Sequence, residues 1–443
     1  MPRSLFLLTP LATALLISSS AYADDHHHGH DHGHDHSGHA HEYDTYEHND
    51  DGHSNDEHSE AENSINVSLV VEGIYHNRFS GDANSPAGFS HEHEGSHDHE
   101  GGHDHSGHSH DLDNGFNLGH SEVAIEGQTA HLEGKAVVSL TEDDITLEEA
   151  FIATRTLPNG LRLQAGKFLS DIGYINGRHP HAWDFVERPL VNEYLFGEHG
   201  LLDTGLQLTW SPNSTLTLGS ELFQGEGEGF SRFDEGGYED RASGPRVGTI
   251  FAKYRPDLGA NKQLTLGTSA GMNRQYVRVD DHGHHAHTAE GDNWFAGLDA
   301  RFNYDAEQPG YQGNWQLGAE YFYSERDLQE HVQHHDHFHA HDHYTEQQDG
   351  AYIDAIYGIA PRWEVGLRAE ALGLTNKVMG THPTAIVSED TSWRHSAQLT
   401  WHVRDNMFVR TQLTREDFAG HDEQWVGMVQ FNAAFGSHAG HNH

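Results

Sequence analysis

The sequence contains no cysteine. A domain without disulfides that is exported must draw its stability from a large core, from bound metal or from a closed hydrogen-bonded sheet. The same absence argues against a closed structural zinc site and against a soft Cu(I) site, both of which favour thiolate ligands. Long apolar runs are also missing: nothing past the N-terminus supplies the ~18 consecutive apolar residues that a spanning helix needs. Basic residues are scarce, with 25 Lys and Arg against 69 Asp and Glu and a formal charge of −44. That balance argues against nucleic acid as a partner, because phosphate binding needs a basic patch, and it favours cations. A hydrophobic content of only 35% would suit a solvated, partly disordered chain. The hydrophobic residues recur at period two, however, and that pattern changes the class.

The first residues read as a secretory signal peptide: Arg3, an apolar run from Leu5 to Ile17 broken by Pro10, then Ala21-Tyr22-Ala23. Cleavage is expected after Ala23, so residues 1–23 form the signal and the mature chain starts at Asp24. Residues 24–63 have almost no aliphatic side chains and predict a mobile His/Asp-rich tail on the periplasmic side. Residues 437–443 form a short second tail with His438, His441 and His443.

Between the tails, residues 64–436 read as strand after strand. Sixteen are expected, at 65–76, 116–128, 130–141, 145–157, 160–169, 201–211, 214–225, 246–256, 262–277, 292–305, 312–325, 350–360, 362–374, 391–403, 406–417 and 423–435. Several carry one apolar and one polar face. Trp294, Ala296, Leu298, Ala300, Phe302 and Tyr304 alternate with Asn293, Asp299, Arg301 and Asn303. Trp363, Val365, Leu367 and Ala369 alternate with Arg362, Glu364, Arg368 and Glu370. Strands of about ten residues with aromatics near their ends fit an all-β, transmembrane antiparallel barrel, apolar towards lipid and polar towards a wet lumen. A soluble sandwich is the alternative, but its strands are typically ~5–6 residues long. The faces of 145–157 are not cleanly sorted.

Compact connections rich in Pro, Asn, Asp and Gly, such as Leu157-Pro158-Asn159-Gly160 and Ala360-Pro361-Arg362, alternate with mostly long ones at 77–115, 170–200, 226–245, 278–291, 326–349 and 375–390. Short periplasmic turns and long external loops are what an outer-membrane barrel requires. The 170–200 connection is unusual: it has no period, yet it carries Ile172, Tyr174, Ile175, Trp183, Phe185, Tyr194, Leu195 and Phe196. A loop that packs itself while presenting charge is expected to fold into the lumen. Its candidate constriction residues are Asp171, Arg178, His179, His181, Asp184, Glu187, Arg188, Glu193, Glu198 and His199. Candidate lumen residues on the strands are Glu122, Glu126, Glu133, Asp299, Arg301, Glu320, Glu364, Arg368 and Glu370.

The architecture of 65–435 resembles a sixteen-stranded outer-membrane porin of a Gram-negative bacterium. The segment Ala165-Gly166-Lys167-Phe168, leading into the long loop, resembles the phosphate-selective porin family. That resemblance implies that the third external loop, 170–200, forms the constriction. Two features depart from it: the loop has five carboxylates against two arginines, and Phe435 is followed by a tail rather than ending the chain.

The 44 histidines are concentrated. The tail holds His26, His27, His28, His30, His32, His34 and His36, with five more before residue 59. The loop at 77–115 holds His91, His93, His97, His99, His103, His105, His108 and His110; 278–291 holds His282, His284, His285 and His287; and 326–349 holds His331, His334, His335, His337, His339, His341 and His343. Neutral imidazole suits zinc, nickel and Cu(II), and neighbouring Asp and Glu add oxygen donors. Repeats on flexible chain form several interchangeable sites of modest affinity, with function lost as the rings protonate. His120, His131, His395 and His402, alone on strands, read as lumen or interface residues.

The sequence therefore predicts an outer-membrane, porin-like channel that binds and passes divalent cations, zinc foremost, with no organic cofactor and no catalytic motif. Its partners would be divalent metal ions, outer-membrane lipid and a periplasmic metal-binding protein, with a homotrimer among the assemblies open to it. Two alternatives stand beside it. One is a general or anion-selective porin with incidental histidine loops. The other is a surface metal buffer that uses the barrel as an anchor.

Overall fold

The computed structural model describes residues 63–81, 85–87, 89, 112–141, 144–234, 244–281, 285–334, 337–380 and 390–436. The expected signal peptide, both tails and His91 to His110 lie outside these residues.

Sixteen antiparallel strands close into a barrel. The first half comprises β1 (Ser64–Ser80), β2 (Gly115–Leu118 continued by Ser121–Gln128), β3 (Leu132–Leu140), β4 (Ile145–Thr154), β5 (Leu161–Leu169), β6 (Leu202–Trp210), β7 (Leu216–Phe223) and β8 (Val247–Tyr254). The second half comprises β9 (Lys262–Asp281), β10 (His285–Tyr304), β11 (Trp315–His334), β12 (His337–Ala360), β13 (Trp363–Gly380), β14 (Ser392–Arg404), β15 (Met407–Asp417) and β16 (Gln424–Gly436). Each strand pairs with its neighbours in sequence, and β1 closes the ring on β16 from Ser68↔Gly436 to Ser80↔Trp425. Both pieces of β2 pair with β1, so they are one strand interrupted at Gly119-His120. Closure pairs the backbone without help from water, as a bilayer demands.

Side-chain alternation divides the wall into two faces. On β14, Trp393, His395, Ala397, Leu399 and Trp401 are exposed, while Arg394, Ser396, Gln398 and Thr400 are buried. Apolar residues outside and polar residues inside reverse the usual soluble arrangement and match a lipid-facing exterior. Exposed aromatics gather at two levels. Trp210, Tyr254, Trp315, Trp363 and Trp401 stand near the short turns, and Tyr75, Trp294, Trp393 and Trp425 stand towards the opposite ends of their strands. Trp363 and Trp401 are cross-strand partners with rings stacked at 5.7 Å.

Two of the expected long loops are corrected, and a third, 375–390, is strand as far as Gly380. The stretches 278–291 and 326–349 are largely strand: β9 and β10 run to Asp281 and from His285, and β11 and β12 run to His334 and from His337. His285, His287, His331, His334, His337, His339, His341 and His343 are therefore strand residues, while His282, His284 and His335 lie outside the described residues. These stretches are mostly polar, with only a few buried apolar side chains such as Ala289, Leu328 and Tyr344, so they gave no hydrophobic period. A strand that projects beyond the bilayer has no apolar face to present, and cross-strand hydrogen bonds extend it regardless. At 24 residues, β12 is more than twice the ~9–11 residues that a crossing takes.

Leu298 is 61% exposed and sits between Trp294 and Tyr304 on the outer face of β10. Leu298→Arg is expected to lower the stability of the barrel in lipid vesicles by about 2–4 kcal/mol, read from denaturant refolding. A change near zero would mean that this face does not meet hydrocarbon.

Candidate functional site

The segment 170–201 joins β5 to β6 and hydrogen-bonds to the buried faces of many other strands. Asp171 N–H donates to Glu221 on β7 at 3.0 Å, and Tyr174 N–H donates to Glu320 on β11. Val186 N–H donates to Gln412 on β15 at 2.9 Å, and Leu190 N–H donates to Glu370 on β13 at 2.7 Å. In return, Arg410 donates to the Trp183 carbonyl at 3.1 Å and Arg368 to the Glu187 carbonyl at 2.9 Å. At Gly173, φ is +59°, and an added Cβ would lie 2.2 Å from Glu320 Oε1. Only glycine lets the chain turn so close to the wall.

Within the segment, Leu190–Phe196 forms a short helix, α1, with all seven residues buried. Seven residues are too few to hold a helix unaided; packing holds this one. Phe196 meets Phe295 and Phe322 edge-to-face, at 5.0 and 4.9 Å between centroids, and Phe295 meets Phe230 at 4.8 Å. Phe168, Phe223, Tyr352 and Leu372 belong to the same buried cluster. These wall residues stand on the otherwise polar face. Apolar residues at polar-face positions such as Phe295 and Phe322 were the available sequence signal for where the segment docks.

The charges around it are paired. Arg394, fully buried, grips Glu370 with Nε–Oε1 at 2.9 Å and Nη2–Oε2 at 3.0 Å, and donates to the Arg188 carbonyl. Arg368 reaches the same carboxylate at 2.7 Å. Arg301 bridges Asp184 at 2.6 Å and Asp354 at 3.0 Å. Glu187 receives Gln412 at 2.7 Å and Thr414 at 3.1 Å. Burial pulls the Arg188 guanidinium down to about 10, against the opposing effect of Glu193. Of the expected lumen residues, Glu122, Asp299, Arg301, Glu320, Glu364, Arg368 and Glu370 are buried on the inner face. Glu126 and Glu133 are half-buried, and Glu133 pairs with Arg162 at 2.7 Å.

Two groups of metal-type donors stand where the segment meets its surroundings. In the first, donor atoms of Glu198, His199 and Glu228 lie within 4.8 Å of one another. They line a cavity of about 580 Å³ with Glu193, Asp203, Glu226, Asp234 and Glu346. Lys167, Arg232, Arg278 and Arg326 are its basic residues.

The second group is His120, Glu122, Glu148 and His179, all buried, with donor atoms again within 4.8 Å of one another. His120 Nε2 lies 3.2 Å from Glu148 and 3.7 Å from Glu122. His179 Nδ1 lies 3.3 Å from each of those carboxylates. His179 Nε2 is hydrogen-bonded to Glu149 at 2.9 Å, which Lys135 also reaches at 2.8 Å. His181 Nδ1 lies 2.9 Å from the far oxygen of Glu122. Burial works against a charge on His179, but the carboxylates of Glu148 and Glu149 override it and push the ring up to about 9.

Two irregularities of the wall create this group. The break in β2 carries His120 inward; there, a Cβ on Gly119 would lie 2.6 Å from the Glu72 side chain. On β4 the register shifts: Val137 pairs with Glu149 and Val138 with Leu147, leaving Glu148 as the extra residue of a bulge. A bulge re-aims a side chain, and both Glu148 and Glu149 are buried. The unsorted faces of 145–157 were the only trace of this in the sequence. Glu148 was missed as a site residue for that reason, and His120 was assigned an ordinary lumen role.

No protein-family model matches the chain. A protein of Aquifex aeolicus (strain VF5), described only as uncharacterized, is 28% identical over 341 residues, covering 74% of this chain and 70% of that one. Among solved structures, the outer-membrane channel DcaP of Acinetobacter baumannii aligns with a TM-score of 0.52 at 10% identity, over 84% of this chain and 97% of that chain. An anion-selective porin from Comamonas acidovorans aligns with a TM-score of 0.49 at 10% identity, over 84% and 100%. With its closed ladder and apolar exterior, the chain has the porin-like fold of an outer-membrane channel, sixteen antiparallel strands set in the outer membrane of a Gram-negative bacterium.

Proposed function

We propose that this barrel is a channel for divalent metal cations, zinc foremost, with 170–201 as its constriction. One observation carries the reading. The 580 Å³ cavity beside the segment has eight carboxylates in its lining, from Asp144 to Glu346, against four basic residues, and a Glu198/His199/Glu228 donor group on its wall. Carboxylates lining a pore favour cations, and imidazole beside them favours transition metals over sodium or calcium. The inner arginines do not reverse this preference, because Arg301, Arg368 and Arg394 are committed to Asp184, Asp354 and Glu370. A lumen so neutralised has little to offer phosphate, so the local resemblance to phosphate-selective porins does not extend to cargo.

The histidine tracts fit the same function by concentrating ions at the mouth through many weak contacts and a negative field. A tail rich in imidazole on the periplasmic side would receive the ion and pass it to a soluble metal-binding partner.

Zinc entry into liposomes that hold a trapped zinc dye tests the reading. The mature protein is expected to admit zinc, and the Glu198→Gln/Glu228→Gln double variant to admit it several-fold more slowly while a neutral sugar passes both equally. Serine at the histidines of 91–110, 282–287 and 331–343 is expected to slow zinc entry at low external concentration. Equal zinc flux in all three, or a reversal potential favouring anions, would leave a general or anion-selective porin. Zinc bound without flux would leave a surface buffer.

The anchoring pairs generate a second expectation. Arg394→Met leaves the Glu370 carboxylate with Arg368 as its one charged partner and frees the Arg188 carbonyl. Because Arg368 remains, the loss should fall below the about 3–5 kcal/mol of a fully broken buried pair. The α1 region should come loose, raising single-channel conductance and current noise. Unchanged conductance in a folded variant would show that the segment does not narrow the pore.

A further inference from the structure

We infer that His120, Glu122, Glu148 and His179 form a closed site for one resident divalent transition-metal ion, zinc by preference, which cross-links the constriction segment to the barrel wall. The inference does not depend on what the pore conducts.

The spacing of the donors is the first argument. Tetrahedral zinc at ~2.0–2.1 Å from each ligand holds its donors about 3.3 Å apart. One donor atom from each residue lies within 4.8 Å of the others. The closest approaches, 3.2 and 3.3 Å to the two oxygens of Glu148 and 3.7 and 3.3 Å to Glu122 Oε2, leave an ion to draw the side chains in. The second argument is poor hydrogen-bond geometry. His120 Nε2 and Glu122 Oε2 are buried at 3.2 and 3.3 Å from Glu148 and His179 without a well-aligned hydrogen bond, whereas buried polar atoms ordinarily make one.

The third is the outer ring of contacts. A histidine that ligates metal through one nitrogen usually gives its other N–H to a carboxylate, which fixes the ring. His179 does so: Nδ1 faces the donor group while Nε2 bonds Glu149, itself held by Lys135. Glu122 is likewise held through its second oxygen, beside His181. The wall also departs from regular strand twice to deliver these ligands, at the β2 break and at the β4 bulge. Each departure gives up regular ladder pairing, and the donor group is where both side chains arrive.

Four protein donors fill the coordination sphere of zinc, as in sites that retain their ion rather than exchange it. The cavity lined by His120, Glu148 and His179 is about 50 Å³ and extends past Arg178 and Arg188 to Glu198 and His199. Two imidazoles and two carboxylates do without the thiolates whose absence argued against a closed zinc site, because burial and preset geometry supply the affinity. His179 is the only one of the four on the segment; the others are wall residues. A bound ion thus pins the first half of 170–201, adding to the Asp184–Arg301 pair at 2.6 Å.

The test uses the mature chain with the tract histidines and His199 replaced by serine, refolded in detergent and equilibrated with buffered zinc. The expected result is one zinc per chain, with an X-ray absorption spectrum of two imidazole nitrogens and two oxygens near 2 Å. His120→Ala and His179→Ala should each abolish that binding, whereas His395→Ala, on the outer face, should leave it intact. Glu149→Gln, which keeps the side chain's shape and alters the outer contact of His179 together with the Lys135 pair, should weaken binding on the order of 10- to 100-fold. Heat-shifted gel mobility confirms that each variant is folded. A folded parent chain that binds no zinc would overturn the inference, as would binding that survives the His120→Ala/His179→Ala double variant.

Discussion

A bilayer offers the backbone no hydrogen-bond partner, and closure of β1 on β16 answers that constraint for the whole chain. Once the ladder is a ring, each strand must turn one face to lipid and the other to the interior. Apolar side chains are therefore spent outside, where Leu298, Ile353 and Leu367 are more than 60% exposed. The interior is left with charge. Carboxylates such as Glu320 and Glu370 and guanidiniums such as Arg394 must find partners within the lumen or pay heavily for burial. The segment 170–201 supplies many of those partners through its own backbone: the N–H groups of Tyr174, Val186 and Leu190 and the carbonyls of Trp183, Glu187 and Arg188 all bond to wall side chains. An irregular backbone within a barrel is tolerated for this reason, since the same polar wall that needs partners satisfies its unpaired groups.

Polar bonds alone would not select one position for the segment, because a water-filled lumen could satisfy the same groups. The aromatic contacts provide the selection. Phe196 inserts among Phe230, Phe295 and Phe322, and burial of an aromatic side chain of this kind stabilises by about 1.5–3 kcal/mol. The glycines fit the same surface: a Cβ on Gly297 would lie 2.2 Å from the ring of Phe322. Apolar docking sets where α1 lies, and the Arg394–Glu370 pair then fixes its orientation at the wall. The first half of the segment is held in the same two ways, by Ile172, Ile175 and Trp183 in the buried cluster and by the Asp184–Arg301 and His179–Glu149 contacts.

The fold was legible in the sequence because the membrane imposes the period. All sixteen strands were expected in order, and most of their ends agree within a few residues. The exceptions, at the tips of β9 to β13, lie where the chain has left the hydrocarbon and the period has no cause. That the aromatics of 170–201 must be buried was legible as well, since they follow no period, and Trp183, Phe185, Tyr194 and Phe196 are buried. Their destination was harder to read, because Phe295 and Phe322 look like faults in a polar face when each strand is read alone.

The donor group was the least legible feature, for a connected reason. Period-two reading assumes that neighbours point to opposite faces, so a Glu-Glu pair at 148–149 counts as one lumen residue and one error. The bulge makes both of them lumen residues. His120 sits in the other break, next to a glycine whose hydrogen is all that the Glu72 side chain leaves room for. His179 comes from a loop some sixty residues further along the chain. No local motif joins the three, and no fixed spacing could, because their meeting depends on two interruptions of the strand pattern and on the path of the segment across the lumen. In a barrel held to strict alternation by lipid, such interruptions are the available means of bringing adjacent side chains to one face. An unsorted strand is therefore a place to look for chemistry in this architecture, more than the conspicuous histidine tracts, whose composition requires no particular geometry.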